Sequence, residues 1–184
     1  MRYSRSMPGD DTLIQIVDAA MAEAMRKGGH WLACRPGCSD CCMGPFRITQ
    51  LDARRLREGL AELEQRDRER AARVRERARK AVASRRTKRA DDEPCPALDP
   101  ETQTCDLYAA RPITCRIFGP AVRCGSKAIG ICDLCFKGAS DEEIAVCAVE
   151  VDPEGLEFRL SHELEESTGV RGHTSVARAL VAKR

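Results

Sequence analysis

Eleven cysteines stand in a chain of 184 residues, and their spacing is the feature most able to do chemistry. The first group is Cys34-x3-Cys38-x2-Cys41-Cys42. Such short spacings let several thiolates converge from one loop, while Pro36, Gly37, Gly44 and Pro45 supply the turns. The second group is Cys95, Cys105, Cys115, Cys124, Cys132 and Cys135, in which Cys132-x2-Cys135 is a chelating pair in its own right. Thiolates are soft donors and select zinc, copper(I) or iron–sulfur over magnesium or calcium. Four of them serve one tetrahedral zinc or one four-iron cluster, so these ten cysteines can supply two sites with a remainder. The groups are far apart in sequence but can share a site in space. Adjacent Cys41 and Cys42 point in different directions, so that one can ligate while the other packs or serves a second metal. Cys147 lies on the Ile144/Ala148/Val151 side of a predicted helix and reads as a small buried hydrophobe.

Disulfides are the competing use of so many cysteines, and they need an oxidising compartment. The first 29 residues show no export signal, because Gln15, Asp18 and Glu23 interrupt every apolar run. No stretch approaches the ~20 apolar residues of a membrane span. An odd cysteine count also fits full pairing badly. These features predict a cytoplasmic protein, off the membrane, whose thiols are ligands. Aromatics make up only 4% of the chain, so metal is a useful constraint on a core built from aliphatic side chains.

The elements that must position the cysteines are mainly helical. Residues 11–27 read as an amphipathic helix, with Leu13, Ile14, Val17, Ala20, Met21, Ala24 and Met25 on one side. Asp10 or Asp11 suits its start and Gly28-Gly29 its end. Residues 30–48 read as a loop. Thr49 and Asp52 start one long charged helix over 50–83, with a narrow apolar stripe broken near Asp67. Glu62/Arg66, Glu64/Arg68, Glu69/Arg73 and Glu76/Lys80 sit at helical ion-pair spacing along it. A polar linker follows at 84–94, then a Pro- and Gly-rich stretch, 95–138, with sparse regular structure. Ser140 with Glu143 forms a capping box for a helix reaching about Val151; further helices are expected at 153–167 and 175–182. No series of strands is evident. The expected architecture is a mainly α, small irregular domain over 1–184, with cysteine-rich metal-binding loops, one long charged helix and a helical extension at 140–184.

The spacing Cys34-x3-Cys38-x2-Cys41 invites comparison with radical S-adenosylmethionine enzymes, but the chain lacks the strand–helix alternation their barrel needs. A more specific resemblance lies in the ordered set that follows the first group. It comprises Cys95-Pro96-Ala97-Leu98, Cys105-Asp106-Leu107-Tyr108, and Arg111-Pro112-Ile113-Thr114-Cys115-Arg116-Ile117-Phe118. Over about 34–135 the chain resembles the YkgJ-type cysteine-cluster family, a zinc- or iron-chelating domain of the CxxCxxCC type. The resemblance implies a metal-chelating domain, sometimes labelled an Fe–S oxidoreductase. A flagellin lysine N-methylase shares similar motifs, which implies a metal-dependent modifying enzyme as a further possibility. It carries over Cys34, Cys38, Cys41, Cys42, Cys95, Cys105 and Cys115; Cys124, Cys132 and Cys135 are added from spacing alone. The chain departs from the family pattern in its three-residue gap between Cys34 and Cys38 and in its long basic helix.

The expected cofactor is an iron–sulfur cluster, of the 4Fe-4S kind, or Zn2+. An iron–sulfur cluster brings a redox or electron-transfer role with a redox or protein partner; zinc brings a non-catalytic binding module. Arg111 and Arg116 are candidates to offset thiolate charge and donate to sulfur. Tyr108 reads as a core residue and His30 as a helix-terminal surface residue. No phosphate loop, dinucleotide fingerprint or His–carboxylate–nucleophile pattern is present, which leaves hydrolysis and nicotinamide chemistry without support and the catalytic residues unassigned. Net charge is +2, yet residues 52–89 hold 15 Lys/Arg against 7 Asp/Glu. Arg70, Arg73, Arg77 and Lys80, or Arg85, Arg86, Lys88 and Arg89, could meet phosphates, but no aromatic platform accompanies them; a solvated helix is the simpler reading.

Overall fold

The computed structural model describes residues 7–84, 93–124 and 128–182, with only the backbone of Cys124. The possible phosphate contacts Arg85, Arg86, Lys88 and Arg89, and most of the 84–94 linker, lie outside the described residues. The fold is mainly α, as expected. The described residues form helices α1 (Asp10–Gly28), α2 (Gln50–Arg66), α3 (Arg68–Ser84), α4 (Ile113–Arg116), α5 (Asp141–Cys147), α6 (Leu156–Thr168) and α7 (Val176–Val181). Short antiparallel ribbons join β1 (Arg47–Ile48) to β4 (Thr174–Ser175), and β2 (Val122–Cys124) to β3 (Ala128–Gly130). The described residues fall into two compact units. One comprises Met1–Arg35 and Ile113–Leu160, the other Pro36–Pro112 and Ser161–Arg184.

The second unit, here the hairpin unit, is built on α2, α3 and α7. The expected long charged helix is two helices. Asp67 leaves helical geometry at φ −150°, ψ 92°, and its carboxylate accepts the Arg70 N–H at 2.9 Å. The break near Asp67 in the apolar stripe is therefore a turn, with the aspartate capping α3. Folding back places Leu56, Leu60 and Leu63 with Ala71, Val74 and Ala78 in one core, completed by Ile48, Val176 and Leu180. Thr49 caps α2 through the Asp52 N–H at 3.1 Å, and Ser175 caps α7. Of the expected ion pairs, Glu76–Lys80 forms at 3.8 Å. Glu64 instead takes both Arg75 nitrogens, at 2.7 and 2.8 Å, across the hairpin.

The first unit, here the cysteine-core unit, holds α1, α4, α5 and the β2–β3 ribbon. Its α1 begins one residue earlier than expected, and Gly9, at φ 90°, occupies the cap position in place of Asp10 or Asp11. The α5 capping box forms as expected, with Ser140 accepting from Glu143 and Glu143 from Ser140. The helix stops at Cys147 rather than near Val151, because Val149 leaves it to pair beside Val122. The Arg123 N–H donates to the Val149 carbonyl at 2.8 Å, and the Val149 N–H to that of Ala121 at 3.2 Å. The helix expected from 153 starts at Leu156, where Asp152 accepts the Leu156 and Glu157 amides at 2.9 and 2.8 Å. The core cluster of this unit contains Cys132, Cys135 and Cys147 with Ala121, Phe136 and Ala148, flanked by Trp31, Leu32 and Ile144.

No described helix is long and apolar enough to cross a membrane.

Candidate metal centre

In the hairpin unit, backbone hydrogen bonds bring two distant loops together. The Cys42 N–H closes a turn onto the Ser39 carbonyl at 2.7 Å, and the Cys95 N–H donates to the Cys42 carbonyl at 2.7 Å. Gly44 reaches the Glu93 carbonyl at 2.8 Å, beside a Met43–Pro94 bridge. Cys105 is drawn in by its bridge to Leu98 and by the Asp106 N–H, which donates to the Ala97 carbonyl at 2.7 Å. Ser39 also donates to the Gln103 side chain at 2.6 Å, tying the loop that carries Cys38 to the one that ends at Cys105. Cys95 and Cys105 pack against the hairpin core.

The thiols of Cys41, Cys42, Cys95 and Cys105 act on one another. A hydrogen bond with Cys42, helped by backbone hydrogen bonding and the Arg111 charge, lowers Cys41 to about 6 against the opposing effect of burial. The same hydrogen bond, burial and the charges of Cys41, Cys95 and Cys105 push Cys42 far up. The adjacent pair thus releases one proton readily and holds the other. Burial raises Cys95 to about 11, opposed by the Ala97 and Leu98 amides and the Arg77 charge. Burial also raises Cys105, opposed by the Leu107 amide and Arg111. A soft cation is the species that removes protons from such a set, since it replaces each with a metal–sulfur bond.

Two guanidinium groups therefore face these thiols. Arg111, one of the two arginines singled out from sequence, lies over the Tyr108 ring at 3.5 Å and acts on Cys41 and Cys105. Tyr108 itself is 62% exposed, not core, because its ring serves as the platform for that guanidinium. Arg77 comes from the basic helix. It donates to the Pro96 carbonyl at 2.9 Å and, with Arg70, grips the buried carboxylate of Asp106. Two arginines that read as phosphate contacts thus have a structural task beside Cys105. The signal for it was Asp106, an acid next to a candidate ligand and facing a basic helix. Arg116 lies in the other unit, where it pairs with Asp18 at 2.8 Å.

The remaining candidates are distributed as follows. Cys38 is half-buried in the hairpin unit. Cys34, Cys115, Cys132 and Cys135 belong to the cysteine-core unit, with Cys115 half-buried on α4. Cys34 and Cys135 approach to 4.0 Å between sulfurs. Cys124 is in β2, its side chain outside the described residues. Cys147 is buried and donates to the Lys27 carbonyl at 3.3 Å. His30 is exposed and rests on Trp31, ring centroids 4.4 Å apart. Among the described residues, no three Cys, His, Asp or Glu side chains already converge on one metal position. The donor chemistry fits a soft metal.

Residues 33–145, more than half of the chain, match the family described as "Putative zinc- or iron-chelating domain", CxxCxxCC. The chain belongs to the CxxCxxCC family. Its cofactor class is accordingly zinc or iron. The CxxCxxCC segment takes in all ten candidate ligand cysteines, from Cys34 to Cys135, and ends inside α5. No curated protein and no solved structure matches the chain.

Proposed function

We propose that this CxxCxxCC protein holds an iron–sulfur cluster in the hairpin unit, on thiolates drawn from Cys38, Cys41, Cys42, Cys95 and Cys105, and serves a redox or electron-transfer role. The observation that carries this reading is the mutual interaction of Cys41, Cys42, Cys95 and Cys105, four thiols from two loops held together by backbone hydrogen bonds. Such a cluster supplies one-electron chemistry when bound. The chain's part is to position and tune the sulfurs. Arg111 and Arg77 offset surplus negative charge, and the Ala97, Leu98 and Leu107 amides donate toward Cys95 and Cys105. Cys41 and Cys42 are only half-buried, which leaves a face for a protein redox partner.

A zinc-stabilised binding module is the second reading. It is favoured by the loop carrying Cys95 and Cys105, which has few backbone hydrogen-bonded elements of its own and would be pinned by a closed four-thiolate site. Anaerobic purification followed by absorption spectroscopy, iron, sulfide and zinc analysis tests both. Visible absorption with iron and acid-labile sulfide, lost in Cys95→Ser/Cys105→Ser, is the expected result. Colourless protein with stoichiometric zinc replaces the first reading with the second, and metal content untouched by the double substitution overturns both.

A further inference from the structure

The sequence suggests a proximal and a distal group of cysteines, but the fold divides them differently. Cys34, from the first group, is placed in the same unit as Cys132 and Cys135, from the end of the second. We infer that Cys34, Cys132 and Cys135 form a second thiolate site, in the cysteine-core unit, that takes a soft divalent ion of the zinc class independently of the hairpin-unit thiols.

The sulfur positions carry the inference. Cys34 and Cys135 lie 4.0 Å apart. Two sulfurs on one tetrahedral zinc, each at ~2.3 Å, stand about 3.8 Å from each other. Cys132 lies on the same backbone turn as Cys135 and is the third donor that closing on a metal would bring in. The scaffold around them is already built. The Cys135 N–H closes a turn onto the Cys132 carbonyl at 2.9 Å, and the Cys132 N–H is held by the Gly119 carbonyl at 3.2 Å. Phe136 follows at φ 56°, a conformation non-glycine residues rarely take, and is locked there by its N–H donating to the Trp31 carbonyl at 2.9 Å. The Ala33 N–H points at the Cys135 sulfur at 3.5 Å, the kind of donor that orients a thiolate ligand.

Gly119 shows how closely the space around Cys34 is fitted. It sits at φ +112°, and a Cβ there would stand 2.6 Å from the Cys34 sulfur. Any side chain at this position would force the Cys34 thiol to shift from where it stands. Gly119 is therefore a positioning residue for the site. Cys147 is the contrasting case: buried in one cluster with Cys132 and Cys135, whereas Cys34 is exposed, it gives its S–H to a main-chain carbonyl and fits the role of a small hydrophobe. With three protein donors, the fourth position of a tetrahedral ion is left to water. Each thiol gives its proton to solvent as the metal–sulfur bond forms.

The test uses the full chain, stripped of metal and kept reduced. It is titrated with Zn2+ while the reactive thiols are mapped by iodoacetamide and mass spectrometry. Cys34, Cys132 and Cys135 should become protected together, and Cys34→Ser/Cys135→Ser should bind one equivalent fewer while still protecting Cys95 and Cys105. Gly119→Ala should weaken zinc binding at the Cys34 set by about tenfold and leave Cys95 and Cys105 protection unchanged. Protection confined to the hairpin-unit thiols overturns the inference, as does unchanged stoichiometry in Cys34→Ser/Cys135→Ser. Simultaneous loss of protection at Cys95 and Cys105 in that variant means one shared site, which also overturns it while leaving chelation intact. Protection of the Cys34 set alone sustains it and instead defeats the hairpin-unit reading above. Should the double variant fail to fold, the wild-type titration decides, because it reports the two thiol sets separately.

Discussion

The hairpin unit and the cysteine-core unit both carry thiols, but in different relations to their cores. In the hairpin unit an aliphatic core of Leu56, Leu60, Leu63, Val74 and Leu180 exists without the cysteines, and Cys95 and Cys105 lean on its edge. In the cysteine-core unit three of the six buried cluster residues are cysteines. Burying apolar side chains yields about 1.5–3 kcal/mol for each large one, whereas a cysteine contributes less area. Leu13, Val17, Met21 and Ala24 of α1 are buried in this unit as well, but the cluster built around Cys132 and Cys135 depends more on whatever those two thiols bind. The hairpin unit can hold its helices first and present its thiols to metal afterwards.

Chelation offers the largest way to break this comparison. Thiolate metal binding in small domains is linked to folding by on the order of 10 kcal/mol. Removing metal should expose the amides of Cys132, Cys135 and Phe136 to hydrogen exchange while α2 and α3 stay protected. Equal loss of protection in both units would erase the distinction. Next comes Leu56→Ala, which leaves a cavity in the hairpin core and should cost about 2–5 kcal/mol by denaturant melts, with or without metal. A cost that disappears in metal-loaded protein would mean that metal, not apolar packing, holds this unit too.

Asp106→Asn should cost about 2 kcal/mol, because Arg70 and Arg77 lose a carboxylate buried to 1% exposure. It should also weaken metal binding through Cys105, read by competition with a chelator. The smallest expected effect is kinetic. In metal-free protein Cys41 should alkylate with a midpoint near pH 6, well below an ordinary thiol, while Cys95 stays protonated to about pH 11. Its low value comes chiefly from the hydrogen bond with Cys42, so Cys42→Ala should return the Cys41 midpoint toward 9.0 without a comparable change at Cys132. A Cys41 midpoint that stays low would assign the effect to Arg111 instead.

Much of the local structure was legible in the chain. Ser140–Glu143, Thr49–Asp52 and Ser175 are caps because a side-chain oxygen satisfies an amide a few residues on, an interaction set by local spacing alone. Asp67 was harder. Charged i,i+4 pairing ran across it and suggested continuity, whereas its own cap for the next helix and the Glu64–Arg75 pair belong to a folded-back chain. The early end of α5 was likewise hidden, since it depends on Val149 finding Val122 far away in sequence. Tyr108 was misplaced because aromatic character predicts burial but does not reveal a guanidinium that will cover the ring.

The sequence by itself determined that this is a mainly helical, cysteine-rich protein of the CxxCxxCC family, suited to zinc or iron, because residue type decides donor softness and local spacing decides helices and caps. Only the tertiary structure decided which thiols are neighbours. It set Cys95 and Cys105 with Cys41 and Cys42, drew Cys34 to Cys135, and turned Arg70 and Arg77 toward Asp106. Thiols separated by as many as 101 positions meet only after the chain between them has folded, and no spacing rule along the sequence carries that distance.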